Sequence, residues 1–186
     1  MANPTLDIAA PVQKGAMPRD DNGQAVTSYG MLSANTLTFT GNNATVVTPL
    51  FHVTGSISVL GIWGVVTTTL GANHTASAFR LNDQTAQVDI TLSTGTDISA
   101  VKAGSMIVKK GLAATAITLL NNSAGRVSEP TTLETTYFSP FVFLKKTAAT
   151  TDIEYVYATT DQPTSGAMQV FLQWLPLTAD ANVVPV

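Results

Sequence analysis

From residue 36 onward apolar and polar residues take turns in short runs, with a period of two rather than the 3.6 of a helix. Successive side chains of an extended strand point to opposite faces, so this pattern predicts strands that bury one side. The runs are "TLTFT" (36–40), "TVVTPLFHV" (45–53), "SISVLGIWGVVTTTL" (56–70), "AFRL" (78–81) and "AQVDITL" (86–92). They continue with "SMIVKK" (105–110), "TAITLLN" (115–121), "TTYFSPFVFLKK" (135–146), "DIEYVYAT" (152–159) and "AMQVFLQWLPL" (167–177). No window of eleven or more residues repeats apolar positions at helical spacing with caps at both ends. Threonine occupies 29 positions and joins Val and Ile in making β-branched residues dominant, which favours strands. Short strands punctuated by Gly, Asn and Asp predict an all-β fold, an antiparallel β-sandwich of jelly-roll type.

Two runs declare their buried side. In "AQVDITL" Val88, Ile90 and Leu92 share one face, with Gln87, Asp89 and Thr91 opposite. In "AMQVFLQWLPL" Met168, Val170, Leu172 and Trp174 point one way. Their opposite face mixes Gln169 and Gln173 with apolar Phe171 and Leu175. The predicted core therefore includes Val88, Ile90, Leu92, Val170, Leu172 and Trp174. The stretch "FHVTGSISVLGIWGVVTTTL" (51–70) alternates cleanly through Val59 and then reads apolar on both faces from Leu60 to Val66. A second layer of the same chain or a neighbouring subunit is expected to cover the extra face. Gly55, Gly61 and Gly64 predict bends, bulges or close backbone approach, in a bent strand running from a sheet edge to a buried centre.

Residues 1–34 lack this period. Pro4, Pro11, Pro18, Gly15, Gly23 and the turn-prone "RDDNG" predict an extended arm, followed by the sandwich domain over 35–186. Its isolated apolar residues, Leu6, Ile8, Val12, Met17, Tyr29 and Met31, are too sparse to fold alone. They suit contact with a groove on another chain, and are the candidate capsid or subunit interface.

Composition narrows the function classes. The 186 residues are 45% hydrophobic, enough for one domain with a sizeable core. Only 11% are charged, against roughly 25% in ordinary domains, which suits a surface partly buried on other chains. A net charge of -3 and only two short lysine doublets, Lys109–Lys110 and Lys145–Lys146, argue against phosphate-driven nucleic-acid binding. With no cysteine, disulfides, zinc-thiolate sites and thiol catalysis are excluded. The opening residues show no Sec-type signal, and the apolar run Val59 to Val66 is short of the roughly twenty residues a membrane helix needs. No membrane partner is expected.

Candidate chemistry is sparse. His52 and His74 lie 22 residues apart with no ligand at metal-site spacing, and both read as surface histidines, one on a wet strand face and one in a turn. "SAVK" (99–102) matches a bare Ser-x-x-Lys pattern without its companion motifs. Asp20 and Asp21 precede Asn-Gly and read as a turn, since a calcium loop would end in a Glu that is absent. Aromatics in "TYFSPFVF" and "EYVY" raise sugar stacking, yet no carboxylate cluster accompanies them. No cofactor or metal is expected, and no enzyme activity.

Two segments, "LFHVTGSISVLGIWGVVTTTLGA" (50–72) and "GAMQVFLQWLPLTADANVVPV" (166–186), resemble virion structural proteins of tailed bacteriophages. The matching positions are Thr54, Gly55, Ile57, Val59, Gly64 to Thr68, Val88 to Ile90, Gly166, Trp174, Pro176 and Leu177. The likeness spans about residues 45–186 and does not reach the arm; Trp174 stands where that pattern has Tyr. It implies a non-enzymatic phage component of head decoration (cement) type. Such a protein is made in the host cytoplasm, sits on the outside of the virion head and binds the major capsid protein. A homo-oligomer, with a trimer favoured, is the expected assembly, because capsid surfaces offer threefold positions and closed rings bury the same patch on every copy. The alternative is a tail, fibre or adaptor protein that binds host glycans through its aromatic strands.

Overall fold

The computed structural model describes residues 30–41, 47–83, 86–92, 97–109, 115–120, 140–144, 151–157 and 163–186. Among them the regular elements are all strands. They are β1 (Met31–Phe39), β2 (Val47–Thr54), β3 (Ile57–Thr68), β4 (Ala78–Asn82), β5 (Gln87–Asp89) and β6 (Met106–Val108). The rest are β7 (Thr118–Leu120), β8 (Phe141–Phe143), β9 (Thr151–Val156), β10 (Gly166–Pro176) and β11 (Asn182–Pro185). No helix among the described residues is long and apolar enough to cross a membrane.

Every pairing is antiparallel. One six-stranded sheet has the order β1-β10-β3-β6-β7, with β8 also pairing β3, and a five-stranded sheet has the order β11-β2-β9-β4-β5. One core cluster draws on both sheets. Leu37, Phe39, Val59, Ile62, Val66, Met168, Val170, Leu172 and Trp174 come from the first; Phe51, Val53, Phe79, Ile153 and Tyr155 come from the second. This is the β-sandwich that the period-two pattern predicts. Trp174 is enclosed and its indole N–H donates to Ser33 Oγ at 3.1 Å, which removes the cost of burying a bare donor. At the edge Asn35 donates to the carbonyls of Leu50 (2.8 Å) and Val186 (3.0 Å), tying one sheet to the other.

The stretch 51–70 is two strands in different sheets, not one bent strand: β2 ends at Thr54 and β3 begins at Ile57. Gly55 makes the switch with φ +67°, where an added Cβ would lie 2.6 Å from the Ala181 backbone. Only glycine fits that approach. Further on, the register skips Leu60 between Val59↔Trp174 and Gly61↔Gln173, a bulge at one of the predicted glycines. The bulge moves the inward set from Ile57 and Val59 to Ile62, Gly64 and Val66, and leaves Leu60, Trp63 and Val65 half-buried on the outward face.

Other boundaries differ from the sequence expectation. β1 starts at Met31, so residues 31–34 are strand rather than arm, because Leu37 and Phe39 continue a period-two pattern that reaches back to Met31. The closing β11 pairs with β2, an element that "NVVP" is too short to announce. Val88 is not core but 55% exposed. It sits on a three-residue edge strand with a neighbour on one side only. Beyond it the amides of Ile90 and Thr91 both donate to the Phe79 carbonyl, so the backbone steps and Thr91 joins Ile90 inside, while Leu92 is half-buried.

Candidate interaction surface

The two sheets turn different chemistry outward. The six strands of the larger sheet contain no Asp, Glu, Lys, Arg or His. On its outward face Trp63 and Phe171 lie in register and stack, centroids 5.6 Å apart with planes at 17°. Around them are Leu60, Val65, Gln169, Gln173 and Leu175, half-buried, with exposed Leu32 and Val142 towards the margins. Alternation puts Phe171 and Leu175 here because Val170, Leu172 and Trp174 are committed to the core.

The five-stranded sheet presents an ion-paired face. Glu154 of β9 accepts from Arg80 Nη2 (2.8 Å) and Nε (3.1 Å) on one oxygen, and from Asn82 Nδ2 (2.8 Å) on the other. With both oxygens held, the carboxylate is buried at little penalty. Two residues earlier on the same face, Asp152 pairs with His52 Nδ1 across β2 and β9. His52 is 45% exposed, as a wet-face histidine should be; its carboxylate partner is 100 residues away in the chain, beyond any spacing argument. Among the described residues no three of His, Cys, Asp and Glu gather where they could hold a metal.

His74 corrects the sequence reading: it is fully buried, not a surface residue. The turn that carries it is pinned from several sides. Its Nε2 donates to the Ser165 carbonyl (3.0 Å), its amide donates to Ser99 Oγ (3.0 Å), and its carbonyl accepts from Ser77 Oγ and the Ile98 amide (both 3.0 Å). The ring meets Phe39 edge-on at 4.6 Å, and Nδ1 is enclosed without a hydrogen-bond partner. Burial holds the imidazole pKa below its ordinary value, outweighing the Ser165 carbonyl and the Asp97 charge. The Asp97 carboxyl is itself held low by the Ser99 amide, which donates to it at 2.8 Å, and by the Ser99 hydroxyl.

The remaining sequence candidates are also placed. Ser99 to Lys102 lie in a turn, without the helix start that Ser-x-x-Lys chemistry requires. Tyr155 and Tyr157 are buried beside Phe39, with Tyr155 Oη donating to Ser77 Oγ at 2.7 Å, so neither can stack on a sugar. Phe143 is buried, Phe141 packs against the core, and Lys109 lies with Nζ 5.4 Å from the Phe141 ring centroid. Burial lowers the Lys109 pKa. Met31 opens β1 opposite Trp174 and packs against the core cluster. Leu6, Ile8, Val12, Met17 and Tyr29 lie outside the described residues, as do Asp20, Asp21, Tyr137, Phe138, Lys110, Lys145 and Lys146. Comparison with family models, with curated proteins and with solved structures yields no match.

Proposed function

We propose that this chain is a non-enzymatic structural component of a tailed-phage particle, a decoration or cement protein that binds the outer face of the major capsid protein shell and stabilises it. One observation carries the reading. The two segments that resemble phage virion proteins, more than ninety residues apart in sequence, pair with each other in both sheets: β3 with β10, and β2 with β11. The resemblance therefore falls on one cooperative unit and not on two unrelated strings. The strand orders also support a jelly roll. With β7, β8 and β11 set aside, β1-β10-β3-β6 faces β2-β9-β4-β5, so that consecutive strands alternate between sheets from β1 to β4. Viral shells use that architecture, although fold alone does not assign a role.

In this reading the protein works as a homo-oligomer, with a trimer favoured, and residues 1–30 reach onto a capsid or neighbouring decoration subunit. The test is to add the purified chain to undecorated heads and image the particles. Density on the outer shell, with binding sharply weakened by deletion of residues 2–30, is the expected result. Imaging that finds the protein in the tail, or a truncated chain that decorates heads with unchanged affinity, overturns the head or the arm assignment respectively.

A further inference from the structure

We propose that the outward face of the six-stranded sheet is a self-association surface, covered in solution by the same face of another copy of this chain. This deepens the homo-oligomer part of the reading above and rests on that part alone, not on the capsid; a face that meets its own kind closes about a twofold axis, so the contact makes a dimer in place of the favoured trimer.

None of the six strands carries an ionisable side chain, so the face has no electrostatic preference of its own. Its centre is the stacked pair Trp63 and Phe171, flanked by Leu60, Val65 and Leu175. Aromatic residues at the centre with charges depleted are the composition of an interface core, and Gln169 and Gln173 supply uncharged polar groups beside it. The size also fits. β1, β3 and β10 have 9, 12 and 11 residues and β6, β7 and β8 three each; at about 3.3 Å per residue and about 4.8 Å between strands they present on the order of 650 Å² before side-chain relief. Stable interfaces bury about 800 Å² per partner, so two such faces meeting sheet to sheet make an interface of ordinary size.

The competing occupant is the chain's own N-terminal segment, residues 1–29, whose point of attachment, Gly30, lies at one corner of this face. Gly30 sits there, where an added Cβ would lie 3.0 Å from Leu60 Cδ1 and 3.4 Å from Gln173 Cγ. That segment carries Asp7, Lys14, Arg19, Asp20 and Asp21 among its few apolar residues. Laid along uncharged strands, those groups would lose water and gain no partner. An identical face brings no charge to desolvate.

Sedimentation of the full chain is expected to show a dimer, twice the chain mass, since a face that meets its own copy closes about a twofold axis. Phe171→Lys is expected to reduce it to a single chain with the circular dichroism spectrum of the wild type. Gln169→Glu preserves size and adds only a charge, which separates loss of association from loss of folding. It should raise the dissociation constant at least about tenfold. A wild-type chain that is monomeric at every concentration overturns the proposal, as does unchanged association in both variants. So does a monomer that begins to associate once residues 2–29 are deleted, since its own segment then covers the face. Oligomers that use this face but ignore phage heads leave the proposal standing and count only against the decoration role.

Discussion

One sheet of this sandwich has no ionisable side chain on any of its six strands, whereas the other carries His52, Arg80, Asp89, Asp152 and Glu154 on its five. Both contribute to one core, and their inward faces are interchangeable in chemistry. The difference lies outward. On the charged sheet, carboxylates on the middle strand are sheltered because Arg80, Asn82 and His52 reach them from the strands on either side. That face is complete within one chain. The uncharged sheet has no such network, and its aromatic pair reaches full burial only against another surface.

The contrast can be broken by substitutions that act on one sheet and spare the other. The largest effect is expected in the shared core: Leu172 is fully enclosed, and Leu172→Ala should lower the unfolding free energy by about 2–5 kcal/mol in a denaturant titration. A cost below about 1 kcal/mol would mean that β10 does not pack as described. Next comes the ion pair of the charged sheet. Arg80→Met strips Glu154 of its cation and should cost about 2–3 kcal/mol, while adding Glu154→Leu recovers most of that loss, because two apolar side chains replace a desolvated pair. If the single variant loses only tenths of a kcal/mol, the pair behaves as an exposed one.

A smaller effect follows from His74. Its folded-state pKa lies below the unfolded value of about 6.5, so on acidification the unfolded chain takes up a proton that the folded chain resists. The stability tied to this residue is therefore fully present above about pH 6.5 and falls as pH drops below it. His74→Gln, which keeps a donor for the Ser165 carbonyl, should flatten this part of the pH profile; an unchanged profile would assign the slope to other groups. Smallest of all, Leu32→Ser on the outward face of the uncharged sheet should shift unfolding by no more than about 0.5 kcal/mol, since Leu32 is 60% exposed. A larger loss in the monomer would show that this face is already covered within the chain.

Much of this was legible in the sequence. Alternation in "AMQVFLQWLPL" marks Val170, Leu172 and Trp174 as core and leaves Phe171 outside, as found. The same rule fails at Val88, because it carries no information about sheet margins. At 51–70 it could not tell one bent strand from two strands in different sheets, since both leave Phe51, Val53, Ile57 and Val59 facing the same core. The candidate surface was half visible: the apolar excess in Leu60 to Val66 and beside Gln169 appears in the string, but the Trp63–Phe171 stack depends on a register.

By itself the sequence determined that the chain forms strands, which side of the longest ones is apolar, and that the runs forming the larger sheet carry almost no charge. These are local properties, set by side-chain chemistry and the two-residue repeat of an extended backbone. Only the tertiary structure decided that Glu154 meets Arg80, that Asp152 meets His52, that His74 is sealed beneath Phe39, and that Asn35 reaches the carbonyl of Val186. Those contacts join residues 35 to 151 positions apart. Their existence depends on which strands become neighbours when the two sheets close on one core, and a period of two is the same whichever neighbour a strand acquires.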